Sequence, residues 1–172
     1  MKQIIAIDPG SKGFVTFFNE VDGYYGFHAI ADGDMLDLAT YIMRIREEHP
    51  DVHAVMEEVH AIFGSSAKST FSFGEINGYI KGILTALQIP YTLVQPKKWQ
   101  LDVWANQDKA YETKTGKDGS SKRVLDTKKT SYNAARRLFP SIDLRKSDRC
   151  KNYDDNKVDS LLICEYARRH NL

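Results

Sequence analysis

Two rhythms of apolar and polar positions alternate along this chain. Residues 3–8, Gln-Ile-Ile-Ala-Ile-Asp, are an apolar run closed by an acid. Such a run reads as a strand buried on both faces. Pro9-Gly10 turns the chain, residues 14–18 read as a second strand, and Asp22-Gly23 is a hairpin signal before a third strand over 24–30. Met35, Leu38, Ile42 and Ile45 then recur at helical spacing within residues 34–48, ahead of Pro50. Strand character returns over 52–59, helical periodicity over 73–87 and strand character over 91–94. Pro96-Lys97-Lys98-Trp99-Gln100 opens a short basic, aromatic segment. Residues 106–123 are polar and rich in Gly, Ser and Lys, and read as an irregular, mobile loop. Asp126 or Thr127 caps a helix that runs through Leu138 to Pro140. Residues 141–153 read as another basic loop, and a last helix covers about 154–169. The order βββαβαβ followed by helices predicts an α/β fold with a mixed sheet.

Composition narrows the class. At 172 residues, 42% hydrophobic and 27% charged, the chain suits one domain, 1–172, that buries a core, and it is too apolar for a disordered chain. Cys150 and Cys164 are too few for a disulfide scaffold or a four-cysteine zinc site, and read as reduced thiols. No apolar run reaches the roughly eighteen residues of a membrane span, and the N-terminus lacks the pattern of a secretory signal. The expectation is a soluble, intracellular protein of the cytoplasm.

A net charge of +1 hides an asymmetry: residues 97–151 hold fifteen Lys or Arg against seven Asp or Glu, a net of +8, and the remainder carries −7. Clustered cations on an otherwise acidic chain suit a polyanion, since Lys and Arg displace counterions from a phosphate backbone. A solvated, lysine-rich loop would show the same run. Residues 97–153 therefore read as a basic, partly mobile segment available to DNA. Lys97, Lys98, Lys122, Arg123, Lys128 and Lys129 are candidates for phosphate contacts, which position a duplex without reading its sequence. Trp99 and Trp104 read as core or interface residues.

The acids carry the candidate chemistry. Asp8 ends a hydrophobic strand, where a carboxylate costs much unless paired or metal-bound. Glu57 follows Ala54-Val55-Met56 on another strand-like run, and Asp155 and Asp159 share one face at the head of the last helix. A divalent cation such as Mg²⁺ or Mn²⁺ relieves repulsion among carboxylates. Each acid alone also fits a turn or a helix cap.

These residues resemble a known family. Ile4-Ile5-Ala6-Ile7-Asp8-Pro9-Gly10-Ser11 is similar to the opening of RuvC-type Holliday junction resolvases. Met56-Glu57-Glu58-Val59-His60 resembles their second acidic motif, and residues 69–78 the stretch after it. Gln95-Pro96-Lys97-Lys98-Trp99 resembles a motif of the phage branch, and Asp155-Asn156-Lys157-Val158-Asp159-Ser160-Leu161-Leu162 the closing acidic motif. The resemblance implies an RNase H-like fold, a mixed five-stranded sheet flanked by helices. It implies a homodimeric endonuclease that cuts branched DNA with two Mg²⁺ ions per active site, Mn²⁺ substituting, and leaves 5′-phosphate and 3′-hydroxyl ends. Catalytic and metal-binding roles fall to Asp8, Glu57, Asp155 and Asp159. Asn156 stands where the bacterial form has an acid, so the fourth carboxylate is Asp155 or its rival Asp154. The bacterial form also has an aromatic three residues after the glutamate, where this chain has His60, with Phe63 nearby. Both are candidates for stacking on DNA bases.

Gly74, Gly78 and Gly82 line one face of the helix expected there, at a cost of roughly 1 kcal/mol each relative to Ala. Packing within the monomer or at a subunit interface would compensate. Other readings stay open: a less selective nuclease for forks and flaps, an inactive junction-binding module, or an ATP-binding domain of the actin and sugar-kinase type.

Overall fold

Strand β1 (Gln3–Asp8) is the axis of the molecule, because its four middle residues are apolar and fully buried. In the computed structural model, which describes residues 2–30, 34–59, 66–116 and 119–172, β1 pairs antiparallel with β2 (Phe14–Asn19) and parallel with β4 (His53–Glu57). β3 (Tyr24–Ala29) extends the antiparallel side and β5 (Tyr91–Val94) the parallel side, giving the order β3-β2-β1-β4-β5. The mixed five-stranded sheet is thus as expected.

Alternation of side chains along β1 divides the core in two. Ile5 and Ile7 join Ala54 and Met56 of β4 on one face, against Leu38, Ile42 and Ile45 of helix α1 (Met35–Glu48) and Ile76, Ile80 and Leu84 of helix α2 (Ala67–Ala86). Ile4 and Ala6 join Val55 on the other face. There they meet Trp99 and Val103 of α3 (Pro96–Val103), Ala134 and Ala135 of α4 (Thr127–Leu138), and Val158, Leu161 and Leu162 of α5 (Asp155–Arg169). Of the two residues the sequence offers as the cap of α4, Asp126 takes the role, accepting from Lys129 N, and Asp154 caps α5, accepting from Asn156 N and Lys157 N.

Three expectations need correction. β4 ends at Glu57, short of residue 59. Helix α2 begins at Ala67, where Ser66 caps it through Ser69 N at 3.1 Å, rather than at 73. Its first turns are exposed, so no apolar stripe announces them. Residues 106–123 are not an irregular loop. A 3₁₀ turn (Asn106–Asp108) leads into a two-stranded antiparallel sheet of β6 (Ala110–Thr115) and β7 (Ser121–Asp126). β6 is exposed along almost its whole length, so it has no buried face to impose alternation on its sequence. Cys150 and Cys164 are unbridged, and among the described residues no helix is long and apolar enough to cross a membrane.

Candidate active site

The period of two along the strands aims the candidate acids. Asp8 lies two beyond Ala6 and Glu57 two beyond Val55, so both share the parity of the face covered by α5. The parallel register pairs Ile7 with Met56, and the next position on each strand is Asp8 and Glu57. A backbone turn fixes the exit from β1: Gly13 N donates to Gly10 O at 3.0 Å. A Cβ on Gly13 would stand 2.2 Å from the Asp8 carbonyl oxygen, so only glycine fits there. Helix α5 is seated on the same face by a buried hydroxyl pair, Thr16 Oγ1 and Ser160 Oγ at 2.8 Å. That contact brings Asp159, the residue before Ser160, over the ends of β1 and β4.

The acids feel one another. Burial, then Asp159, Glu57 and Asp154, hold the Asp8 carboxyl far above the usual carboxylate range. Burial also pushes Asp159 up to about 7; the Ser131 hydroxyl opposes the shift, while Glu57 and Asp155 add to it. Glu57 is raised by burial, against the Trp99 indole N–H, which donates to Glu57 Oε1 at 2.9 Å. Trp99 is fully buried, so its ring holds that carboxylate from beneath while α3 packs on α5. Asp159 Oδ1 is buried without a hydrogen-bond partner. A hard divalent cation would satisfy that oxygen and relieve the mutual repulsion, so the donor set suits Mg²⁺ or Mn²⁺. The cluster is not yet a ligand cage: among the described residues, no three acid, histidine or cysteine side chains are arranged to hold one ion.

The fourth acid has two occupants. Asp155 Oδ2 takes the Lys128 ammonium at 2.6 Å, and Asp154 Oδ1 is engaged in capping α5, at 3.0 Å from Asn156 N. Asp154 raises Asp8 and Asp155 raises Asp159, so both belong to the cluster. Lys128 therefore lies at the acids themselves, beyond the phosphate contact expected of it. Trp99 is core, as expected, but its indole donor was invisible to periodicity, as was the Ser131 hydroxyl beside Asp159.

The remaining candidates spread over a basic rim. Lys97 and Lys98 are exposed on the first turn of α3, and Lys122 and Arg123 on β7. Lys129 stands 4.6 Å above the Tyr132 ring, which stacks on Tyr153 at 4.0 Å between centroids. His60 and Phe63 lie outside the described residues. A Cβ added at Gly74, Gly78 or Gly82 would meet nothing within 4 Å among the described residues, so no close packing with those residues compensates for the three glycines.

No protein-family model matches the chain, and no curated protein sequence matches it. Solved structures do. A structure described as T. thermophilus RuvC in complex with Holliday junction substrate aligns over 99% of this chain and 96% of that one, with a TM-score of 0.59 and 9% identity. A second Thermus thermophilus RuvC structure covers 98% and 96%, with a TM-score of 0.58 and 10% identity. The chain shares the RuvC fold. At such identity the likeness establishes architecture, an RNase H-like mixed sheet flanked by helices. In the RuvC fold as this chain builds it, β1, β4 and α5 each deliver an acid to one end of the sheet.

Proposed function

We propose that the protein is a metal-dependent endonuclease of the junction-resolvase type, acting on Holliday junctions and related branched DNA inside the cell. One observation carries the reading: Asp8, Glu57 and Asp159, far apart in sequence, meet on one face of the sheet as mutually repelling carboxylates, with an unsatisfied buried oxygen among them. The Holliday junction bound by the similarly folded RuvC supports the substrate class. The basic rim of α3, β7 and α4 supports a phosphate backbone as partner.

Asp8, Glu57, Asp159 and one of Asp155 and Asp154 would hold two Mg²⁺ ions, with Mn²⁺ as a substitute. When bound, such ions supply Lewis acidity for hydrolysis of a phosphodiester, activating a water and stabilising charge on the leaving 3′ oxygen. Glu57 enters with Oε1 held by Trp99, which leaves Oε2 available to the site. Asp159 sheds its proton more readily once a cation stands beside it. Lys128 neutralises Asp155 in the free protein and is placed to turn to a DNA phosphate when a cation takes over that role.

We further propose a homodimer, because a junction presents two equivalent strands to cut and a two-fold dimer supplies two matching sites. The open face of α2 is the candidate surface, a concavity of about 600 Å³ lined by Glu75, Gly78, Tyr79, Gly82, Ile83 and Ala86. Sedimentation should show a dimer with and without junction DNA; monomer alone would count against it.

The test of function is a panel of labelled four-way junction, fork, flap and linear duplex incubated with Mg²⁺ or Mn²⁺. Paired nicks on the junction with 5′-phosphate ends are expected. Equal cutting of forks and flaps would favour a less selective nuclease on the same fold, and binding without cutting in either metal would favour an inactive junction-binding module.

A further inference from the structure

The β6–β7 hairpin forms a sheet separate from the five-stranded one, and neither of its faces joins either core. Beyond its half-buried root at Ala110 and residues 124–126 the ribbon is exposed on both faces. Such a ribbon gains little from burial and is marginal by itself, so its outer side chains point to a partner. The register places Glu112 opposite Val124 and Lys114 opposite Lys122 on one face. It places Tyr111 opposite Leu125 and Thr113 opposite Arg123 on the other. Lys114 and Lys122 are like charges directly across the ladder, an arrangement that weakens a hairpin unless an anion bridges it. Lys114 also reaches Glu112 at 3.0 Å. On the opposite face the Arg123 guanidinium lies 4.2 Å over the half-exposed Tyr111 ring. Stacking holds that fork flat, and its N–H donors make no hydrogen bond among the described residues.

The ribbon is rooted at the acids. Its last residue, Asp126, caps α4, and two residues later Lys128 meets Asp155. Six paired positions per strand, at about 3.3 Å each, carry the arm roughly 20 Å from that root. A DNA strand lying at the acids would continue as duplex alongside it. A ribbon is about 10 Å thick from face to face and the major groove about 12 Å wide, which admits a two-stranded ribbon. A ribbon standing in the groove turns one face to each phosphate strand, and this one carries cations on both.

We propose that β6–β7 is a duplex-grasping arm that enters the groove of the DNA arm next to the cut. Lys114 and Lys122 face one phosphate strand and Arg123 the other. The inference rests on the reading of the protein as a DNA-acting enzyme and deepens it by assigning how one arm is held.

The test is binding by the full chain, without metal, to four-way junctions whose arms are either long, about two helical turns, or shorter than the roughly 20 Å ribbon. The triple variant Lys114→Ala, Lys122→Ala, Arg123→Ala should lose at least about tenfold in affinity for the long-armed junction, and its log–log salt slope should fall by about 2–3. Affinity for the short-armed junction should change little, and hydroxyl-radical protection along one arm should vanish. All three residues are exposed, and an unchanged circular dichroism spectrum verifies folding. Equal weakening on long and short arms, or an unchanged affinity and salt slope, would overturn the arm. The readout needs no metal and no cleavage, so a protein that fails to cut would sink the enzyme reading while the arm was still decided.

Discussion

Asp108 and Asp159 are both carboxylates drawn out of water, and the fold treats them in opposite ways. Asp108, 2% exposed, receives Arg137 through Nε at 3.0 Å and Nη2 at 2.7 Å, and the Ala105 N–H at 2.7 Å. Burial alone would raise its pKa, but those partners hold it below the usual range. Asp159 also carries a burial penalty, but it has no cation in direct contact among the described residues, an orphaned oxygen, and other acids as neighbours. Its pKa rises to about 7. The first arrangement ties the 3₁₀ turn to α4 and is complete. The second stores repulsion that an arriving cation removes, as expected of a site held ready for a ligand.

Substitutions at the two places should fail differently. Asp8→Asn should abolish metal-dependent cleavage of a four-way junction, by about a thousandfold or more, yet leave junction binding intact or tighter, since a negative charge is removed. Rate and affinity measured side by side check this. Asp108→Ala should cost about 1–3 kcal/mol of stability, because Arg137, partly exposed and still donating to Val103 O, loses its carboxylate partner, and a lowered denaturation midpoint reads it. Trp99→Phe keeps the ring in the core but removes the donor to Glu57; metal affinity should weaken by roughly tenfold, seen as a shifted Mn²⁺ titration with DNA affinity unchanged.

The smallest expected effect is in pH dependence, and its sign separates the two acids. A carboxyl raised in the folded state binds more protons folded than unfolded, so its contribution to stability falls as pH rises from the ordinary carboxylate range towards about 7. Asp159→Asn should therefore raise Tm by roughly a few degrees at about pH 8 without metal, and change it little at about pH 4. Asp108, held low, contributes stability above the ordinary carboxylate range, and that contribution is lost as pH falls through its depressed pKa. Thermal melts of Asp159→Asn and Asp108→Asn across pH should slope in opposite directions relative to the parent protein.

Much of this was legible in the sequence. The apolar runs before Asp8 and Glu57 announce central strands, since only a doubly covered strand tolerates four consecutive buried apolar residues, and parity along those runs aims both acids to one face. The apolar stripe of α5 likewise brings Asp159 to the sheet. Illegible parts lacked a burial pattern. Tyr111–Thr115 and Ser121–Arg123 form a ribbon whose polar faces both meet water, so no period marks them as strands. The first turns of α2 are exposed for the same reason. Asp108 and Arg137 are separated by 29 residues, and nothing local couples them. The indole contact of Trp99 with Glu57 spans 42 residues and follows only from how α3 lies beside α5.

The most direct test is Mn²⁺ binding to the full chain with an uncut junction bound, followed by electron paramagnetic resonance. Ions should bind at the acid cluster of the parent protein and of Asp108→Asn, with most of that binding lost in Asp8→Asn and Asp159→Asn. No Mn²⁺ bound by the parent protein, or equal binding by Asp8→Asn, would mean that these carboxylates do not form a metal site.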